Sequence, residues 1–321
     1  MGIQSYGDII KITVPTPFPI GDVNTYIVKG DRLTLVDAGI NTPEAKAIFE
    51  TGLKEAGYKL SDIEQVILTH HHPDHIGLLD QFQVDIYGHE YGKNWLSYNE
   101  PFMNWRKEFF LELFDEFGVP AEMRKIANNL EKTLRFGSQS SELHGFLKEG
   151  DALPGLSDFR VFETPGHAQS HLVFYREKDG LLLAGDHILK TVSSNPLIEP
   201  PMEPGGKRAK SLLQYKHSLK KMMELDLHCA MTGHGNEITS LHPLLERRFE
   251  RQRERAALVL SMLRNQPMTV FEVCVGLFPE VYKKETGLTL SETVGQFDYL
   301  FEQGSIHVDR IENGAIYYYG S

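Results

Sequence analysis

Alternating apolar and polar side chains mark strands, whereas recurrence every three to four residues marks helices. By that criterion residues 8–14, 23–29 and 32–37 read as short strands, with Pro15, Pro17 and Pro19 interrupting the chain between the first two. Thr42 is suited to cap a helix and Pro43 to open it, which predicts a helix to about residue 56. Apolar runs at 65–69 and 84–87 predict buried strands, and further strands follow at 158–163, 171–176 and 181–184. A helix over about 209–225 and a strand at 227–231 continue the alternation, which indicates an α/β body.

Two stretches depart from this rhythm. Residues 91–136 hold ten of the chain's 33 aromatics, including Trp95 and Trp105, in a long helix-permissive segment. Its nearness to the strand at 84–87 suggests packing against the body, a lid with an apolar inner face, or contact with a partner chain. From 241 an arginine-rich helix runs to about 264, where Pro267 stops it. Short helices at 269–278 and 289–303 and a hairpin turning at Glu312-Asn313-Gly314 follow, which spells a winged-helix unit. The expected division is therefore a domain at 1–240, with a helical insertion at about 91–145, and a winged-helix-like domain at 241–321.

Composition narrows the setting. With 321 residues, 41% apolar, the chain can bury a full core without staples. No stretch approaches the ~18 apolar residues of a membrane span, and 1–11 lacks a signal-peptide run. Cys229 and Cys274 are far apart in apolar surroundings and call for no oxidising compartment, so a cytoplasmic protein without membrane association is expected. The net charge of −11 argues against nucleic acid as a general partner. From 245 onward nine basic residues face eleven acidic ones, and Glu246, Glu250 and Glu254 alternate with the arginines, a pattern suited to i,i+4 pairing on a solvated helix.

Chemistry concentrates in Thr69-His70-His71-His72-Pro73-Asp74-His75-Ile76-Gly77. Leaving a strand, His70 and His72 point the same way and His71 the other. Asp74 and His75 sit one step further round. Two imidazoles can then meet one cation, and a carboxylate with an imidazole a second, a nitrogen and oxygen mixture suited to Zn²⁺.

This segment resembles the H-x-H-x-D-H signature of the metallo-β-lactamase-fold hydrolases, and the resemblance continues in order. Thr164-Pro165-Gly166-His167 resembles the family's T-P-G-H turn, Gly185-Asp186 its strand-end G-D, and Thr232-Gly233-His234-Gly235 its late G-H-G turn. The resemblance implies a four-layer αββα fold with a helical insertion and a C-terminal winged-helix domain. It implies two divalent metal ions, Zn²⁺ foremost with Fe or Mn as alternatives. One would be held by His70, His72 and His167, the other by Asp74, His75 and His234, with Asp186 between them. A hydroxide bridging the cations would then attack the substrate, and Asp74 would orient it or take its proton. Asp37 and His171 are expected to support ligands from behind.

The branches of the family differ in chemistry. B1-type β-lactamases place a cysteine where Asp186 stands, flavodiiron members a glutamate where His72 stands, and the glyoxalase-II-like branch keeps all the ligands seen here. The implied activity is hydrolysis of a small ester-like or thioester-like substrate. Two alternatives stay open: a phosphodiesterase or endoribonuclease acting on single-stranded nucleic acid, and a metal-containing nucleic-acid-binding regulator. The C-terminal unit is open as a structural or homodimer contact or as a nucleic-acid contact.

Overall fold

A computed structural model describes residues 3–124 and 132–321. The part of the aromatic insertion at 125–131 lies outside the described residues. Seven strands form the first sheet, in sequential order: β1 (Ile3–Tyr6), β2 (Ile9–Val14), β3 (Val23–Lys29), β4 (Leu33–Val36), β5 (Gln65–Ile67), β6 (Asp85–Gly88) and β7 (Gly145–Phe146). Pairing is antiparallel from β1 to β4 and parallel from β4 to β7. The second sheet is ordered β12-β11-β10-β9-β8, from β8 (Ala152–Leu153), β9 (Leu156–Glu163), β10 (Leu172–Arg176), β11 (Leu181–Gly185) and β12 (Cys229–Thr232).

The sheets pack face to face because each gives one apolar face to a shared core. Ile9, Tyr26, Val28, Val36 and Ile67 of the first meet Phe159, Val161, Leu172, Phe174, Leu183 and Met231 of the second. The Pro43–Glu55 helix covers the outside of the first sheet, with Thr42 capping it through Ala45 N–H at 3.1 Å. It comes close because Gly52 lies over Ile12, where a Cβ would stand 2.8 Å from a methyl. The last turns of the Ser211–Met223 helix cover the second sheet: Ser218 Oγ donates to the Pro165 carbonyl at 2.9 Å, and Lys221 lies over Phe162. These are the four layers, helix, sheet, sheet, helix. Arg176 ties the layers at their rim, reaching Asp8 at 2.5 Å and Asp179 at 2.8 Å.

The chain forms two compact units, and their boundary differs from the one at 240. The first comprises residues up to Asn99, Thr133–Ser194 and Ser218–His242; the second comprises Glu100–Lys132, Asn195–His217 and Pro243–Ser321. The insertion is therefore divided. Its Glu100–Glu116 helix buries Phe109, Phe110 and Phe114 in the second unit's core, against Val259, Leu263, Val273, Phe297 and Leu300. Its aromatic stripe is explained by that core, which local periodicity cannot reveal.

The second unit also holds the Leu241–Asn265, Val270–Leu277 and Thr286–Glu302 helices and a hairpin of β13 (Ile306–Glu312) and β14 (Ala315–Gly320). Thr269 and Glu272 cap the middle helix reciprocally, at 3.2 and 2.8 Å. The hairpin turns through Asn313 and Gly314, both with positive φ, as its two-residue loop requires. The arginine pattern has a different use from i,i+4 pairing: Arg255 reaches Glu292 of the Thr286–Glu302 helix at 2.6 Å, and Arg248 is buried. No helix among the described residues is long and apolar enough to cross a membrane.

Candidate metal centre

Five strand ends of the first unit deliver the functional side chains. Asp37 follows β4, the 69–77 turn follows β5, His167 follows β9, Asp186 follows β11 and His234 follows β12. His72 stands just before a one-turn helix, Pro73–Ile76, which carries Asp74 and His75 inward.

The donors converge in two trios. Ligand atoms of His70, His72 and His167 lie within 4.8 Å of one another, as do those of Asp74, His75 and His234. Asp186 stands between them. Its Oδ2 is 3.6 Å from His167 Nε2 and 3.4 Å from His234 Nε2, and its Oδ1 is 3.5 Å from His75 Nε2. His70 Nε2 is 3.1 Å from His72 Nδ1, and His234 Nε2 is 3.3 Å from Asp74. The structure thus brings together every ligand that the sequence motifs nominate.

The rings are held from behind. Asp37 Oδ1 accepts from Thr69 N–H at 2.8 Å, while Oδ2 accepts from the Thr69 hydroxyl at 2.7 Å and from His75 Nδ1 at 2.8 Å. The Thr69 oxygen in turn lies 3.0 Å from His70 Nδ1. His234 Nδ1 donates to the Asp22 carbonyl at 2.8 Å. With the Nδ1 positions occupied as donors, His70, His75 and His234 turn Nε2 lone pairs to the centre, as a metal ligand must. The fit to a cation shows in the polar atoms too: His75 Nε2, His234 Nε2 and Asp186 Oδ1 are buried without a hydrogen-bond partner. Asp37 adopts φ 61°, a left-handed conformation rare outside glycine, and its three acceptor bonds hold it there.

Electrostatics agree. Burial disfavours the imidazolium of His75, but Asp186 and Asp37 outweigh it and raise the pKa. Likewise burial opposes, and Asp186 and Asp74 prevail, at His234, which is raised to about 10. His70 moves down, through burial and the imidazoles of His75 and His72. Asp186 is driven well below the carboxylate range: burial opposes this, but His234 and His75 overcome it. Such a nest of carboxylates and imidazoles attracts positive charge, whether protons or a cation.

The remaining histidines have structural contacts. His71 lies 2.7 Å from Ser170 Oγ and stacks on Trp95 at 4.3 Å, with its ring 5.2 Å from that of His72. His171 Nε2 accepts from Asp186 N–H at 3.2 Å, and its Nδ1 is 2.9 Å from Thr164 Oγ1, placing it behind Asp186. His187 is fully buried, with its pKa pushed down to about 3 by that burial. The two tryptophans belong to different units: Trp95 is buried against His71, whereas Trp105 packs against the second unit's apolar core and donates to Pro201 O at 3.5 Å. Sequence reasoning missed Thr69 and Thr164 as supports, although each stands within the motif it serves.

Three comparisons bear on this geometry. Residues 19–234 match the family model described as the metallo-beta-lactamase superfamily. The "Probable metallo-hydrolase YqjP" of Bacillus subtilis (strain 168) is 46% identical over 301 residues, 93% of this chain and 94% of that protein. "Hydroxyacylglutathione hydrolase" of Methylobacterium nodulans is 25% identical over 181 residues, 56% of this chain and 53% of that protein. A solved metallo-beta-lactamase family protein from Thermus thermophilus has a TM-score of 0.81 at 28% identity, covering 98% of this chain and 99% of that one. A beta-lactamase domain protein from Burkholderia ambifaria, at 19% identity and TM-score 0.80 over 99% and 94% of the two chains, shares the fold. The matched region ends on His234, the last donor of the cluster, and this chain belongs to the metallo-beta-lactamase superfamily as one of its metallo-hydrolases.

Proposed function

We propose that the chain hydrolyses a small ester-like or thioester-like substrate at a centre of two divalent cations, Zn²⁺ foremost. The observation that carries this reading is Asp186, whose two oxygens lie 3.4 to 3.6 Å from donors of both trios. An acid in that position serves two cations at once, and His70, His72 and His167 on one side with Asp74, His75 and His234 on the other complete them. Bound cations supply Lewis acidity, bringing water toward ionisation at neutral pH and polarising the oxygen under attack.

The protein's own part is to orient and to accept a proton. Asp37 and Thr69 fix the rings of His75 and His70, and His171 holds the backbone of Asp186. Asp74 would be the carboxylate that takes the proton of the attacking water. The matched hydroxyacylglutathione hydrolase supports the acyl-hydrolase class, as does an aspartate rather than a cysteine at 186. The slightly acidic tail supports a structural or dimer-contact role for the C-terminal helices and hairpin over phosphate binding.

Elemental analysis and a panel of thioester, lactone, phosphodiester and single-stranded oligonucleotide substrates test the proposal. We expect metal-dependent turnover of a thioester or lactone, with Asp186→Ala losing most activity and at least one cation. Preferred cleavage of the phosphodiester or oligonucleotide would overturn the substrate class; Asp186→Ala with full metal and turnover would overturn the bridging role.

A further inference from the structure

Strand β2 violates its own pattern. Ile9, Lys11 and Thr13 share one face of the strand, and Ile9 enters the core between the sheets. The next position on that inward face carries an ammonium. Lys11 is only 5% exposed, in a strand where an apolar residue would have packed without desolvation cost. Departures of this kind from local consistency are where function is to be sought.

Register places polar neighbours around it. Gln4 pairs with Lys11 across β1 and β2, and Asn24 pairs with Thr13 across β2 and β3. The Tyr6 hydroxyl lies 3.1 Å from Glu237 Oε2 and 3.3 Å from Gln4 Oε1 and donates to one of them, while the Gln4 NH₂ is a donor. The acid facing Lys11 is Glu237, at 3.8 Å, beyond hydrogen-bond length. Burial lowers the Lys11 pKa and Glu237 partly restores it.

Gln4, Lys11, Thr13 and Asn24 line a cleft of about 500 Å³, within the range of small-molecule sites. Ile3 and Ile20 give it apolar walls, and Asp22 adds a negative charge. Lys11 is the cation among the lining residues, and Asp22 with the nearby Glu237 opposes a dianion. The cleft also adjoins the metal centre through the chain: the Asp22 carbonyl accepts from His234, and the Gly235 carbonyl accepts from Asn24 at 2.9 Å.

We infer that this cleft binds the carboxylate end of a small organic acid, with Lys11 and Gln4 as the donors, and so selects substrates that carry an acid group away from the scissile bond. The selection half rests on the hydrolase reading; the binding half does not.

The test titrates hexanoate into the full-length, metal-loaded protein by calorimetry at fixed ionic strength, with hexanamide as the neutral control. Saturable binding of hexanoate alone is expected, weakened at least tenfold in Lys11→Met and largely retained in Lys11→Arg. Absent saturation, or equal affinity in Lys11→Met, would overturn the site. Should Lys11→Met fail to fold, Gln4→Leu set against Lys11→Arg gives the same contrast. In the kinetic arm, Lys11→Met is expected to lower about tenfold, through KM, the preference for an adipate monoester over the corresponding diester. An unchanged preference would overturn the selection half. Lys11-dependent hexanoate binding by a protein that hydrolyses no ester would support the cleft and overturn the hydrolase reading.

Discussion

Gly233 is the point at which one added methyl group tests the centre. A Cβ there would lie 2.1 Å from Asp186 Oδ1 and 2.8 Å from His75 Cε1, whereas real Cβ contacts essentially never fall below 3.0 Å. The carboxylate or the glycine must therefore move by about 0.9 Å, the difference between 3.0 and 2.1 Å. The glycine is strapped on both sides: its N–H donates to Gly185 O at 2.6 Å, and its carbonyl accepts from Asn24 N–H at 2.7 Å. The displacement falls on Asp186. Metal sites tolerate deviations of ~0.2 Å in ligand distance, so a retreat several times larger removes a ligand bond. The added strain costs about 1–3 kcal/mol of stability. For Gly233→Ala we expect loss of at least one bound cation after dialysis, measured by elemental analysis, a fall of at least ~100-fold in turnover, and a folded circular-dichroism spectrum. Gly235→Ala is the control. It has φ +75° and open space around its Cβ, so it should lose ~1 kcal/mol and keep its metal. A Gly233→Ala protein with full metal content and near-normal turnover would refute the packing argument.

Asp37→Asn replaces one acceptor oxygen by a donor facing Thr69 or His75, and should weaken metal affinity ~10–100-fold, measured by competition with a chelator; unchanged affinity would remove its supporting role. Because His75 and His234 have raised pKa values without a cation, adding Zn²⁺ to the metal-free protein near pH 7.5 should release protons, and affinity should fall with decreasing pH. Titrations in buffers of different ionisation enthalpy would show this, and no buffer dependence would contradict it. Arg208 forms two 2.7 Å bonds to the buried Asp298, so Arg208→Met should cost about 3 kcal/mol in denaturant unfolding, with part regained in Arg208→Met/Asp298→Leu.

The donors were legible in the sequence because each sits in a short turn whose spacing is set by local geometry. The glycines beside them record the same constraint: at Gly185, with φ +46°, a Cβ would stand 2.7 Å from Thr69 Oγ1. Strands with strong alternation were readable, but β1, β7 and β8 have two to four residues and too little pattern to register. The affiliation of Phe109, Phe110 and Phe114 escaped for another reason. Their partners, among them Val259 and Phe297, lie far along the chain, and periodicity shows that a face is buried without showing what buries it. Lys11 is not singled out by the sequence pattern of β2 and acquires meaning only from its neighbours across the sheet.

The positions of the donors also dictate an order of events in the life of the chain. His70 and His234 come from opposite ends of the first unit's sequence, and His234 is aligned only when it docks on the Asp22 carbonyl beside β3. A nascent chain that has emerged only as far as Asp186, just past β11, has the first trio and Asp186 but no complete second trio. Completion of the second trio thus comes at the end of assembly. Cations held between loops of the first sheet and loops of the second would act as a clasp between halves that the core alone would otherwise hold. Chelation should accordingly speed the separation of the two sheets more than it slows their formation.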